Sequence, residues 1–316
     1  MKPAGRSWRR LRCGTVLVGM GLAGLSPPAA VAGPLLDRLM EARTAADQGG
    51  GAGAMPALPA GVRLLRELPY GEDARQRMDV YLPPGLGSGR APLLVMVHGG
   101  GWRVGDKAMS AVVANKLAHW LPRGYILVSV NYRLLPATAP LEQARDLAAA
   151  LARAQALAPS WGGDPAAVVL MGHSAGAHLV ALLAADPAFA RDAGAQPWLG
   201  TIALDSAALD LPGIMEAPHP SLYDRAFGQD PAAWRAVSPY HRVAGTTRPL
   251  LLVCSSRRAL ACAQADRFAS RVGSLGGRAE VLRQPLSHGE INRRLGEPGA
   301  YTAAVEAFIA TLRRGG

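Results

Sequence analysis

At 316 residues, 49% of them hydrophobic and 18% charged, the chain is long enough to bury one substantial core and too apolar for a disordered protein. Its formal charge of +11 is carried mainly by arginines scattered along the chain. A nucleic-acid binder would gather them into a patch or stripe, so no nucleic-acid partner is expected. No cluster of His, Cys and Asp has metal-ligand spacing, and neither a metal nor another cofactor is expected.

The chain begins with Lys2, Arg6, Arg9, Arg10 and Arg12, ahead of an apolar run over residues 13–25. Ser26-Pro27-Pro28 breaks that run, and Ala30-Val31-Ala32 places small residues at −3 and −1 of a cleavage site. This is the layout of a signal peptide over residues 1–32. The apolar run falls short of the roughly 20 residues that span a bilayer, so no stable membrane anchor should remain after cleavage. A periplasmic or secreted protein follows. The chain beyond residue 32 keeps 29 Lys and Arg against 23 Asp and Glu, a charge of +6. It also keeps two cysteines, Cys254 and Cys262. An even pair in an oxidising compartment predicts a disulfide between them, with Cys254 at the end of a strand over 250–254 and Cys262 just before the helix that follows it.

Residues 33–60 are rich in Ala, Gly and Pro and read as a flexible leader, which leaves residues 61–316 as one domain. Residues 62–68 and 78–82 read as paired edge strands. The continuous apolar run over 92–97 has the pattern of a strand buried on both faces of a mainly parallel sheet. It leads into His98-Gly99-Gly100-Gly101-Trp102, where bare backbone N–H groups can approach a ligand as an oxyanion hole requires. Residues 125–130 form the next buried strand, followed by Asn131-Tyr132-Arg133 and a helix over 141–157. Residues 161–165 read as a turn feeding a strand over 168–171.

That strand enters Gly172-His173-Ser174-Ala175-Gly176, with an alanine-rich helix after it. A serine on a sharp strand-to-helix turn carries strained dihedrals and presents its hydroxyl clear of the sheet, and flanking glycines spare the close contacts a Cβ would make. Ser174 reads as a nucleophile. Strands over 199–204, 250–254 and 279–283 complete an eight-stranded sheet, with right-handed crossovers and helices on both faces, and a last helix over 301–312. Residues 212–247 interrupt the alternation and read as a small cap over the C-terminal edge of the sheet, where ligands of such folds bind. A serine hydroxyl needs a base, and His288 follows the last strand, in a loop over 286–292 and after every candidate acid.

Together His98-Gly-Gly-Gly-Trp, Asn131-Tyr132-Arg133, Gly172-His-Ser-Ala-Gly and His288 resemble the α/β-hydrolase fold over residues 63–312. The nearest likeness is to the carboxylesterase group with an HGGG loop, which includes hormone-sensitive-lipase-like, feruloyl/acetyl-xylan-esterase-like and kynurenine-formamidase-like enzymes. The resemblance implies Ser174 as nucleophile, His288 as base and the N–H groups of Gly100, Gly101 and Ala175 as oxyanion donors. It also implies a small-molecule ester substrate and no cofactor. One departure stands out. The family places its acid just after strand seven, where this chain has Ser255-Ser256-Arg257-Arg258. Asp205, at the end of strand six in a segment similar to the acid segment of pancreatic-type lipases, is then the first choice. Asp210 is second, and Asp266 and Glu290 are weaker. The expected activity is hydrolysis of short-chain carboxylic esters. An amidase or arylformamidase built from the same residues, and a non-catalytic binder that has lost its acid, are the alternatives.

Overall fold

The computed structural model describes residues 58–86 and 90–314. The expected signal peptide and residues 33–57 of the expected leader lie outside them. Eight strands build one sheet: β1 (Arg63–Pro69), β2 (Arg77–Leu82), β3 (Ala91–Val97), β4 (Ile126–Val130), β5 (Gly163–His173), β6 (Gly200–Leu204), β7 (Leu250–Ser255) and β8 (Ala279–Gln284). Their order is β1-β2-β4-β3-β5-β6-β7-β8. Every pairing from β4 across to β8 is parallel, and β2 runs against both its neighbours, β1 and β4. The mostly parallel, eight-stranded sheet is the architecture the sequence leads one to expect. Only β1 is an edge on its side, however. The residues Met78–Leu82 of β2 are all buried, and its second pairing to β4 is what the edge reading overlooked.

The unbroken apolar runs have a simple cause. Side chains alternate across a strand, so a strand covered on both faces needs apolar residues at every position. In β3, Leu93, Val95 and Val97 enter one core while Leu94 and Met96 enter the other. In β5, Val168 and Leu170 divide from Val169 and Met171 in the same way. Helices Ser110–Trp120 and Ala300–Arg314 cover one face through Val113, Leu117, Phe308 and Ile309. Helices Pro140–Leu157, Ala175–Ala185 and Ala259–Ser274 cover the other through Leu147, Leu151, Leu179 and Phe268. Helix Ala175–Ala185 is buried along its whole length, so it shows no amphipathic stripe and is built from small and aliphatic residues instead.

Residues 211–242 form four short helices, Leu211–Met215, Ser221–Phe227, Pro231–Ala236 and Pro239–Arg242. Their aromatic side chains explain the irregular spacing in the sequence, because they fill gaps against the scaffold and do not line one helix face. Phe227 meets the Trp102 ring edge-on at 4.8 Å, and Tyr223 lies 6.1 Å from the same ring. The insertion therefore packs directly on the glycine loop after β3. Among the described residues no helix is long and apolar enough to cross a membrane.

Three local readings change. Strand β5 starts at Gly163, inside the expected turn, because Ala91 and Gly163 are already paired there. His288 opens a short helix, His288–Arg293, where the sequence suggested a loop. Cys262 lies within helix Ala259–Ser274 and not before it. Cys254 and Cys262 are joined, with their Cα atoms 5.2 Å apart. Closing this loop of about eight residues is worth about 2–3 kcal/mol on chain-entropy grounds. Cys254→Ser/Cys262→Ser is accordingly expected to unfold several degrees lower than the wild type. Mass spectrometry of the unreduced protein should find no alkylatable thiol at either position, and two free thiols would remove the bond from the account.

Candidate active site

Ser174 sits between β5 and helix Ala175–Ala185 with φ +55° and ψ −115°, a conformation that costs a non-glycine residue energy. The neighbours enforce it. A Cβ on Gly176 would lie 2.4 Å from the Val97 carbonyl oxygen, and one on Gly172 would lie 2.4 Å from that of Gly176. The two glycines let strand, turn and helix close on one another, while the Ser174 N–H donates to the Leu204 carbonyl at 2.9 Å.

His288 is brought to this turn by the far end of the chain. Its helix begins with a capping box, in which Ser287 accepts from the Glu290 N–H and the Glu290 carboxylate accepts from the Ser287 N–H. Behind it, buried Lys116 donates to the Asn292 side chain and carbonyl at 2.9 and 2.8 Å. The His288 Nε2 atom lies 2.9 Å from Ser174 Oγ. Its Nδ1 lies 2.6 Å from Asp205 Oδ2. Asp205 is fully buried after β6, also at φ +55°, and its Oδ1 accepts the Ser255 N–H at 2.8 Å. The register of β6 with β7, which pairs Leu204 with Val253, places Asp205 beside the loop that follows β7. The hydrogen bond from His288 and the Arg258 charge outweigh burial and hold the Asp205 carboxyl far below the usual carboxylate range.

The other acids have different partners. Asp210 caps helix Leu211–Met215 and pairs with Arg267 at 2.9 Å, and Asp266 pairs with Arg283 at 2.6 Å. Glu290 belongs to the capping box. The loop expected to carry no acid has not been left empty: Arg258 Nη1 stands 2.5 Å from Asp205 Oδ2 and 2.8 Å from His288 Nδ1. Reading Arg258 as a residue that only disqualifies its own loop missed this, because nothing in sequence spacing brings residue 258 to residues 205 and 288.

The glycine loop lies against the serine. A Cβ on Gly99 would come within 2.9 Å of Ser174 Cβ. Gly100 and Gly101 have φ of +115° and +56°, and Trp102 follows at +61°. Among the described residues the N–H groups of Gly100, Gly101 and Ala175 have no backbone acceptor, so they are free to meet a ligand. The loop is held from behind. His98 is buried and stacks on Tyr132 at 4.5 Å, and Arg75 donates to the carbonyls of Gly105 and Tyr132. Arg133 forks onto buried Asp146, and Asn131 bonds Asp106 and the Lys107 N–H. These bonds account for the Asn131-Tyr132-Arg133 motif as scaffolding for the loop. The Trp102 indole donates to His178 Nδ1, and His178 Nε2–H donates to the Val237 carbonyl. His173 Nε2–H donates to the His288 carbonyl at 3.0 Å, with the two rings 4.5 Å apart. Among the described residues no group of three or more His, Cys, Asp and Glu is arranged to hold a metal.

A family model described as BD-FAE matches residues 78–194. Isoprenylcysteine alpha-carbonyl methylesterase ICME of Arabidopsis thaliana is 34% identical over 119 residues, which are 38% of this chain and 27% of that protein. The probable carboxylic ester hydrolase LipM of Mycobacterium tuberculosis (strain ATCC 25618 / H37Rv) is 28% identical over 299 residues, covering 84% of this chain and 66% of the relative. The chain spans only about a quarter to a third of the first curated relatives it matches. Among solved structures, esterase B from Lactobacillus rhamnosis (HN001) aligns with a TM-score of 0.70 at 22% identity, over 88% of this chain and 93% of that one. With the sheet order above, this likeness shows the α/β-hydrolase fold.

Proposed function

We propose that this α/β-hydrolase chain is a serine carboxylesterase that cleaves short-chain esters through an acyl-enzyme. The observation that carries the reading is the continuous chain Ser174 Oγ, His288 Nε2, His288 Nδ1, Asp205 Oδ2, linked at 2.9 and 2.6 Å. Ser174 Oγ attacks the ester carbonyl as its proton passes to His288 Nε2. The carbonyl oxygen takes up the electron pair and is met by the N–H groups of Gly100, Gly101 and Ala175. Collapse of that intermediate expels the alkoxide, which receives the proton from Nε2. Water then repeats the sequence on the acyl-enzyme and releases the acid.

A small acyl group suits a loop roofed by the insertion, where a Cβ on Gly101 would already lie 2.9 Å from Leu222. The name of one similar structure points the same way, to an esterase B inhibited by a C4-C4 tributyrin phosphonate. Export by residues 1–32 belongs to the same proposal and fits the joined Cys254 and Cys262. In the test, a fluorophosphonate probe should label the wild type and spare Ser174→Ala. Hydrolysis of p-nitrophenyl acetate and butyrate by that variant should fall about 10⁶-fold in kcat. Labelling that survives the substitution would refute the nucleophile, and faster turnover of N-formyl anilides than of esters would move the chain to the amidases.

A further inference from the structure

Two groups of opposite charge reach the same ring nitrogen. Asp205 Oδ2 lies 2.6 Å from His288 Nδ1 and Arg258 Nη1 lies 2.8 Å from it. An ionised carboxylate only accepts hydrogen bonds and a guanidinium only donates. A proton on Nδ1 therefore serves Asp205 and excludes a bond from Arg258. A bare Nδ1 serves Arg258 instead, and the ring proton then sits on Nε2, where it prevents the ring from accepting from Ser174. An imidazolium, protonated at both nitrogens, faces a cation at 2.8 Å. Arg258 thus permits the first state, favours the second and opposes the third.

The remaining surroundings do not cancel this charge. Among the described residues Asp205 is the one anion in contact with the ring, and Arg258 neutralises it with a second contact at the Asp205 carbonyl, 3.3 Å away. His173, stacked on the ring from the end of β5, is held neutral by burial. Glu290, on the same helix as His288, is engaged by Ser287 and Arg257. Lys116 lies behind His173 and is pushed down to about 7 by burial. Tyr223 and Tyr301 are kept in their neutral forms by burial.

We infer that Arg258 is a positioning residue acting through Asp205 and His288, one that offsets the negative charge an ordinary triad supplies and so trades strength of the base for activity at acid pH. This rests on the proposed roles of Ser174 and His288. Oriented by an uncompensated carboxylate, His288 would gain its proton more readily, and the acid limb of the pH–rate profile would lie higher.

The test is kcat/KM for p-nitrophenyl acetate against pH in the wild type, Arg258→Gln and Arg258→Lys, within the pH range where melting shows each folded. Arg258→Gln should move the acid limb up by about one pH unit or more and raise the plateau severalfold. Arg258→Lys keeps the charge and should hold the limb within a few tenths of a unit of the wild type. A lower plateau with an unmoved limb is what simple packing would give, and it would overturn the inference, as would equal shifts in both variants. Should Arg258→Gln fail to fold, ¹⁵N spectra of histidine-labelled wild type decide. A His288 Nδ1 signal averaged between protonated and bare forms supports the competition, and a fully protonated Nδ1 refutes it. Ser174→Ala separates the two failures. If it abolishes turnover while the limb stays put in Arg258→Gln, only the role of Arg258 falls. Undiminished turnover in Ser174→Ala removes the site reading and this inference together.

Discussion

Asp205→Asn is expected to lower kcat by about 10⁴-fold while the protein stays folded. In triads of this kind an amide in place of the acid preserves the geometry but holds the imidazole in the wrong tautomer. The effect has an added cause here. The substitution leaves the Arg258 cation unneutralised, 2.8 Å from the ring. Both changes favour a proton on Nε2, which then faces the serine that should be donating to it. Asp210→Asn, Asp266→Asn and Glu290→Gln should each cost far less, since those carboxylates serve a helix cap or an arginine. Asp205 also accepts the Ser255 N–H, so circular dichroism and the melting temperature must be read beside the kinetics. A folded Asp205→Asn enzyme with near-normal kcat would remove this carboxylate from the mechanism.

The carboxylate that meets His288 was the hardest part of the candidate site to read from sequence, and the reason is geometrical. A strand ending in Leu204-Asp205-Ser206 announces an aspartate at the C-terminal edge of the sheet, where several other acids also lie. Which one meets His288 depends on the pairing of β6 with β7 and on the tie between Ser255 Oγ and the Leu286 carbonyl, contacts that span 30 to 80 residues. Local patterns carry no such information. The same limit hid Arg258. By contrast, the turn that carries Ser174 is local: strand, Gly-x-Ser-x-Gly and helix are consecutive in the chain, from Gly163 to Ala185, and the clash distances at Gly172 and Gly176 show why no other residue fits.

Much of the sheet was legible for a related reason. Strands covered on both faces need apolar runs; β3 has one without interruption, β4 is broken only by Ser129, and β7 is apolar up to its last residue, Ser255. The insertion was legible only as a break in that pattern. Its helices have 5, 7, 6 and 4 residues, too few for a 3.6-residue period to repeat. The short helix opening at His288 could have been found, because Ser287-x-x-Glu290 is a capping-box signature in plain sight.

Acid should unfold this protein through its histidines before its carboxylates. Burial pushes His98 and His178 down to about 4 and holds His173 well below the ordinary histidine range. The hydrogen bonds agree with neutral rings, since His178 accepts from Trp102 at one nitrogen and donates to Val237 at the other. An unfolded chain takes up protons at these three residues near pH 6.5, whereas in the folded chain His98 and His178 stay neutral until about pH 4 and His173 stays neutral well below its ordinary range. Stability from this source is therefore complete above pH 6.5 and declines as pH falls through that window. With three protons bound on unfolding, the slope approaches about 4 kcal/mol per pH unit. Asp205 acts in a separate window, because its lowered carboxyl contributes stability above the usual carboxylate range and loses it only at lower pH. Lys116, lowered to about 7, alters the slope only above that value. Urea unfolding between pH 7.5 and 4.5 measures the slope directly, and His178→Gln, which keeps a donor and an acceptor but cannot titrate, should reduce it by one proton. A flat profile, or an unchanged slope in a folded His178→Gln protein, would mean that His178 is not a buried neutral group.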